Sequence, residues 1–168
     1  KGVKNWGKRD CFRQLQAYLN SEETDRVCLV FGLRRTGKTT MLRQAVLGMT
    51  PSQSAKSAYI KAKGSDTMAA MNRDLGKLLD LGYEYVFIDE VTLMPDFIDS
   101  AALFSDIYAA QGMKIVLSGT DSLGFWFALH QELYDRAVHQ LRLRYQLALD
   151  VRGCRAHAGE RGGGQVQG

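Results

Sequence analysis

No apolar run in the sequence comes near the roughly 18 residues that a membrane-spanning helix requires, and the opening Lys1-Gly2-Val3-Lys4-Asn5-Trp6 has no signal-peptide apolar region. The chain is therefore expected to be soluble. The three cysteines, Cys11, Cys28 and Cys154, form no C-x-x-C pair and stand at no ligand spacing. An odd number this small argues against a disulfide framework and for a reducing, cytoplasmic setting. His130, His139 and His157 have no ligand-like spacing with Cys or carboxylates, which removes a metal-enzyme reading. Strong charge of one sign is missing too: 22 Lys and Arg against 18 Asp and Glu leave a net +4, with the basic residues thickening only after Arg136. So mild a surplus does not call for nucleic acid, which stays an unsupported partner. The initiator Met is absent, as expected of a fragment.

What is there fits one domain: 168 residues, 45% of them hydrophobic, allow one core and not two. Phe12, Leu15, Tyr18 and Leu19 recur at helical spacing and predict a leading helix that ends near Asn20-Ser21. Val27 to Phe31 is a continuous apolar run before Gly32, which is how a strand buried on both faces reads. Cys28 lies in that run and is expected to pack as a small hydrophobe. Met41, Leu42, Ala45, Val46 and Met49 then predict a helix stopped by Thr50-Pro51. Further strands are expected at 58–60, 85–88 and 114–117. Between them should lie a helix capped by Ser65 or Asp66 and another opened by Pro95-Asp96, carrying Phe97, Ala101, Phe104 and Tyr108 inward. From Ser122 a helix should carry Phe125, Trp126, Leu129 and Leu133, before an alternating strand through Leu149. Alternating strands and helices argue for a parallel α/β sheet.

Gly32-Leu33-Arg34-Arg35-Thr36-Gly37-Lys38-Thr39 fits G-x-x-x-x-G-K-[ST] and stands where that string has physical meaning, between an apolar strand and an amphipathic helix. A polyphosphate needs several backbone N–H donors converging on it, and Gly32 and Gly37 allow the close wrap that a Cβ would block. The helix that follows adds its positive N-terminal end. Lys38 would reach the β- and γ-phosphates and the Thr39 hydroxyl would help hold Mg2+, while Arg34, Arg35, Thr36 and Thr40 line the same wrap. By chance such a string should occur in about one chain in a hundred of this length.

Tyr85-Val86-Phe87-Ile88-Asp89-Glu90 ends a strand in two carboxylates at the sheet's C-terminal edge, where open α/β sheets bind ligands. Asp89 would orient the Mg2+ shell and Glu90 would position or polarise an attacking water, since hydrolysis requires metal and nucleophile to be held separately. Ser118, at the end of the next core strand, either senses the γ-phosphate or simply takes part in a Ser-Gly-Thr-Asp turn. The expected fold is thus an α/β, three-layer P-loop NTPase with a mainly parallel sheet flanked by helices. It would occupy residues 1–138, followed by a final strand at 139–152 and a disordered Gly/Arg/Gln-rich tail at 153–168.

Gly32 to Thr40, Phe87 to Val91, Val116 to Thr120 and Leu133 to Ala137 together resemble a family of prokaryotic AAA-type ATPases. Its members carry a GxRRxGKTT loop, a strand ending in DE and a strand ending in a TGS-like turn. The resemblance runs from about Arg9 to Val138. It implies an ATPase core of the additional-strand, catalytic-Glu type that binds ATP or ADP with Mg2+. It also implies Ser118 in the sensor position and Arg136 as an arginine reaching phosphate in cis or across a subunit interface. A homo-oligomer or a protein partner follows from the same likeness. The sequence departs from the family where Tyr134-Asp135-Arg136 lacks the usual Gly before Arg. Family members also continue into a helical lid and a C-terminal domain, so the chain reads as truncated, with an abnormal or incomplete C-terminus.

Other classes remain open at this point. A small-molecule kinase shares the loop but would need a basic lid, and no Arg-rich segment precedes the fourth strand. A GTPase lacks its N-K-x-D motif. A nucleotide-binding switch without efficient turnover needs only the loop. Phe125-Trp126-Phe127 are read as core aromatics ahead of a base-stacking platform.

Overall fold

The computed structural model describes residues 11–129 and 137–143. Five strands form one sheet within them: β1 (Val27–Gly32), β2 (Ser57–Lys61), β3 (Tyr85–Asp89), β4 (Lys114–Gly119) and β5 (Ala137–Leu143). Their order is β2-β3-β4-β1-β5 and every neighbouring pair is parallel. The helices are α1 (Phe12–Leu19), α2 (Lys38–Leu47), α3 (Pro51–Ala55), α4 (Met68–Asp80) and α5 (Asp121–Leu129). None of the described helices is long and apolar enough to cross a membrane.

Alternation along the strands divides the core into two. Val27 and Leu29 of β1, Val86 and Ile88 of β3, and Ile115 and Leu117 of β4 face one cluster, with Met71 and Leu75 of α4, Phe97, Phe104 and Leu123. Cys28, Val30, Phe87 and Val116 face the other, with Phe12, Leu15 and Tyr18 of α1 and Met41, Leu42 and Ala45 of α2. Helices on both faces make three layers and explain why the central strands read as continuous apolar runs.

Several boundaries differ from expectation. Thr50 and Pro51 end α2 but also start α3, through a capping box in which Gln53 N donates to Thr50 Oγ1 at 3.2 Å. The cap of α4 is Thr67, whose Oγ1 accepts from Ala70 N at 3.2 Å, and not Ser65 or Asp66. Asp66 is instead bonded to Lys63 N at 2.8 Å. Asp96 does not open the regular helix expected from Pro95-Asp96. Its carboxylate accepts from Met68 N at 3.0 and 3.1 Å, and so serves the N-terminus of α4. Residues 91–111 form short 3-10 turns and one π turn, Phe104–Tyr108. The buried Ser105 hydroxyl donates back to Ala102 O at 3.0 Å, a bond that competes with a regular helical ladder. Phe97, Ala101, Phe104 and Tyr108 are nevertheless all buried, as their spacing predicts. On α5, Trp126 packs on Phe97 with ring centroids 6.4 Å apart, whereas Phe125 is 61% exposed. Leu133 and the 153–168 tail lie outside the described residues.

Candidate nucleotide site

Strand order sets up the site. β4 lies between β1 and β3, so the loop after β1 and the carboxylates after β3 are one strand apart, with Ser118 at the end of the strand between them. All three meet at the C-terminal edge.

The loop after β1 relies on left-handed backbone. Gly37 has φ +92° and immediately precedes α2, and Arg35 has φ +63°, a conformation a side chain adopts at a cost of about 1–3 kcal/mol. No side chain caps α2, so its first-turn N–H groups open toward the loop. Thr36 is fully buried and its hydroxyl donates to Leu33 O at 2.8 Å, bracing the loop from within. Lys38 folds across the loop, its Nζ donating to Gly32 O and Leu33 O, both at 2.9 Å. Burial pushes the Lys38 ammonium below the ordinary lysine pKa, against the opposing pull of Glu90 and Asp89.

Asp89 is fully buried and is held by three hydroxyls. Thr39 Oγ1 and Tyr59 OH each donate to Oδ2 at 2.7 Å, and Ser118 Oγ donates to Oδ1. Ser118, also fully buried, accepts from Glu90 N at 3.4 Å, so one side chain touches both acidic positions. The neighbouring turn is made by other hydroxyls: Thr120 N donates to Thr92 Oγ1 at 3.3 Å, and the Thr120 and Ser122 hydroxyls meet at 2.6 Å. Glu90 adopts φ +63°, which breaks the strand's alternation and lets a residue adjacent to buried Asp89 line the open cleft.

That cleft has a volume of about 770 Å³. Arg34, Arg35, Lys38 and Lys61 bring positive charge to it, Glu90 is its one lining carboxylate among the described residues, and Gly37, Thr39 and Thr40 line the loop side. Of the residues expected to act, Gly32, Arg34, Arg35, Thr36, Gly37, Lys38, Thr39, Thr40, Asp89, Glu90 and Ser118 therefore fall in one region. Arg136 lies outside the described residues. Tyr59 and Lys61 were not expected there. Both stand on β2, beside β3, with Lys61 opposite Asp89 in register. The only sequence signal for either is the position of a tyrosine and a lysine near the C-terminal end of a strand.

The residues suit a metal-bound polyphosphate on one structural ground: a buried carboxylate and a threonine hydroxyl already share a hydrogen bond beside a loop of helix-terminal N–H groups. Hard oxygen donors of this kind match Mg2+.

A family model described as an AAA domain matches residues 24–145. Similar solved structures include the Aeropyrum pernix ORC1 protein in complex with DNA, 20% identical with a TM-score of 0.56, covering 88% of this chain and 48% of that one. The Aeropyrum pernix ORC2 protein in ADPNP-ADP complexes is 12% identical with a TM-score of 0.53, covering 84% of this chain and 50% of that one. Closed-state Hsp104 with ATPγS and FITC casein is 16% identical with a TM-score of 0.57, covering 90% of this chain and 30% of that one. At these identities the likeness is one of fold, and the chain spans half or less of each relative's length. No curated protein matches the chain.

Proposed function

This chain belongs to the AAA domain family, whose model spans residues 24–145, and we propose that it binds ATP with Mg2+ and hydrolyses it in the cleft between the 32–39 loop and the ends of β3 and β4. One observation carries the proposal: the fully buried Asp89 carboxylate accepts from Thr39, the residue that follows the loop lysine, at 2.7 Å. A carboxylate in a protein interior is costly unless its charge is answered, and here the answer is a set of hydroxyls beside a phosphate-sized cleft.

The roles follow from placement. Gly37 and the first turn of α2 present N–H groups to the phosphates. Lys38 exchanges its two loop carbonyls for β- and γ-phosphate oxygens, regaining in charge-assisted bonds what burial takes from the ammonium. Thr39, with Asp89 bonded behind it, would hold Mg2+, which would supply charge neutralisation to the phosphates. Glu90, on the cleft side of its turn, orients a water and takes its proton as that water's oxygen bonds to the γ-phosphorus. The bond to the bridging oxygen breaks, leaving ADP and inorganic phosphate. Ser118 fixes Asp89 through its hydroxyl and Glu90 through the backbone N–H. Arg136 is assigned to the phosphates, in cis or from a second copy.

Adenine is favoured over guanine because two relatives of the same fold were solved with ADPNP-ADP and ATPγS. We assign the chain to the cytoplasm, where ATP and Mg2+ are available. The test is calorimetric titration with ADP, ATP and GTP in Mg2+, with Lys38→Ala as control. Micromolar adenine-nucleotide binding that Lys38→Ala abolishes is expected. Equal binding by both proteins would place the nucleotide elsewhere, and binding without any single-turnover hydrolysis would leave a switch in place of an ATPase.

A further inference from the structure

Asp89 and Thr39 were expected in the site, but the second partner on the same carboxylate oxygen was not. Tyr59 stands on β2 opposite Phe87 of β3, on the face of the sheet where Phe87, Met41 and Val116 pack. Asp89 lies two residues further along β3, about 6.6 Å toward the C-terminal edge at the usual strand rise. A phenol extended along the strand direction spans that offset, and the Tyr59 hydroxyl reaches Asp89 Oδ2 at 2.7 Å. A serine or threonine at 59 would fall short.

An ionised carboxylate offers about four acceptor sites, two per oxygen. Thr39 and Tyr59 fill both on Oδ2, and Ser118 takes one on Oδ1. Oδ2 is thereby committed to two hydroxyls, and its influence on a bound cation runs through the Thr39 hydroxyl. We propose that Tyr59 is a positioning residue for the magnesium site: its hydroxyl locks Asp89 so that Oδ2 faces Thr39, and this lock sets the affinity of the nucleotide complex for Mg2+. The inference rests on the nucleotide reading above. The phosphate contacts of the loop and Lys38 do not involve Tyr59, so metal affinity and metal-free nucleotide affinity separate cleanly.

The test uses Tyr59→Phe, which keeps the ring and removes the donor, with Tyr59→Leu as a second donor-free variant should the first fail to fold. Tyr85→Phe is the control, since the Tyr85 hydroxyl accepts only a long bond from Gln53 Nε2 at 3.5 Å, outside the site. ADP affinity is measured calorimetrically in EDTA, and Mg2+ is then titrated into each protein–ADP complex. Loss of an outer-shell partner of this kind weakens metal binding about 10–100-fold. We expect a rise of at least tenfold in the Mg2+ dissociation constant for Tyr59→Phe, unchanged ADP affinity in EDTA, and wild-type behaviour for Tyr85→Phe. Wild-type Mg2+ affinity in Tyr59→Phe would overturn the proposal. So would an equal loss of metal-free ADP affinity, which marks a merely structural role. If the unaltered protein binds no ADP, the nucleotide reading itself falls and takes this inference with it, an outcome distinct from the other two.

Discussion

Ser118→Ala is the substitution on which the site's architecture makes its most quantitative claim. The side chain is fully buried, and its hydroxyl donates to Asp89 Oδ1 while accepting from Glu90 N at 3.4 Å. Removing it leaves a buried carboxylate one donor short. A hydrogen bond to a charged group contributes about 1.5–3 kcal/mol, and the longer bond from Glu90 adds little. The missing oxygen leaves a space close to the size of one water and no larger. Destabilisation of about 2 kcal/mol is therefore expected, which for a domain of this size lowers Tm by about 4–8 °C. Urea unfolding of the nucleotide-free protein measures it, and a double-mutant cycle assigns it. In an Asp89→Asn background the acceptor is neutral and the bond about half as strong, so Ser118→Ala should cost about 1 kcal/mol. A cost below about 0.5 kcal/mol in the native background would refute the reasoning, as would an equal cost in both backgrounds, because the hydroxyl would then be acting through something other than the Asp89 charge.

Two further outcomes are expected. Glu90→Gln should retain ADP and ATP affinity while turnover falls by about 10²–10⁴-fold, the usual contribution of a positioned base; normal turnover in a single-turnover assay would remove Glu90 from its role. Alkaline stability should depend on Tyr18 and Tyr59, whose pKa values are both raised, chiefly by burial, above the ordinary 10.0. A neutral phenol held protonated in the folded state stabilises it fully below pH 10. The benefit is lost as pH rises beyond 10, where the unfolded chain ionises first. Urea midpoints should thus hold to about pH 9 and fall above 10, as the unfolding free energy drops by about 1.4 kcal/mol per pH unit for the deeply buried Tyr18. Midpoints with no such fall above pH 10 would contradict it.

What the sequence made legible was local. Val27 to Phe31, Phe87 and Val116 read correctly because a strand covered on both faces needs apolar side chains in both directions. The turn between β1 and α2 was legible because Gly37 takes a left-handed backbone and α2 begins immediately after it, at Lys38. What stayed hidden depended on other elements. Asp96 looked like the start of its own helix because a capping carboxylate carries no mark of which N-terminus it will meet, and it meets that of α4. Phe125 and Trp126 looked alike as core aromatics, yet only Trp126 finds Phe97. Ser118 could not be separated from a turn residue until β4 stood beside β3. Thr120 and Ser122 then proved to make the turn while Ser118 reached Asp89. Tyr59 gave no signal because its contact exists only once β2 and β3 are in register.

The strand between β1 and β3 sets the spacing of these contacts. Two strand spacings, about 9.6 Å, separate β1 from β3 across β4. Adjacent strands would bring the loop and the carboxylates closer by one strand spacing, about 4.8 Å. With β4 between them, Thr39 on the first turn of α2 still reaches Asp89, because α2 packs over Val116 and Phe87 on that face of the sheet. Glu90 takes the opposite course: its left-handed backbone turns it off the strand and into the cleft. Ser118, at the end of β4, is bonded to both acidic positions of the neighbouring strand end, the buried Asp89 to which the proposal assigns the metal and the Glu90 to which it assigns the water. A change that tilts β4 should alter metal positioning and water positioning together, whereas a change at Tyr59 should reach the metal alone.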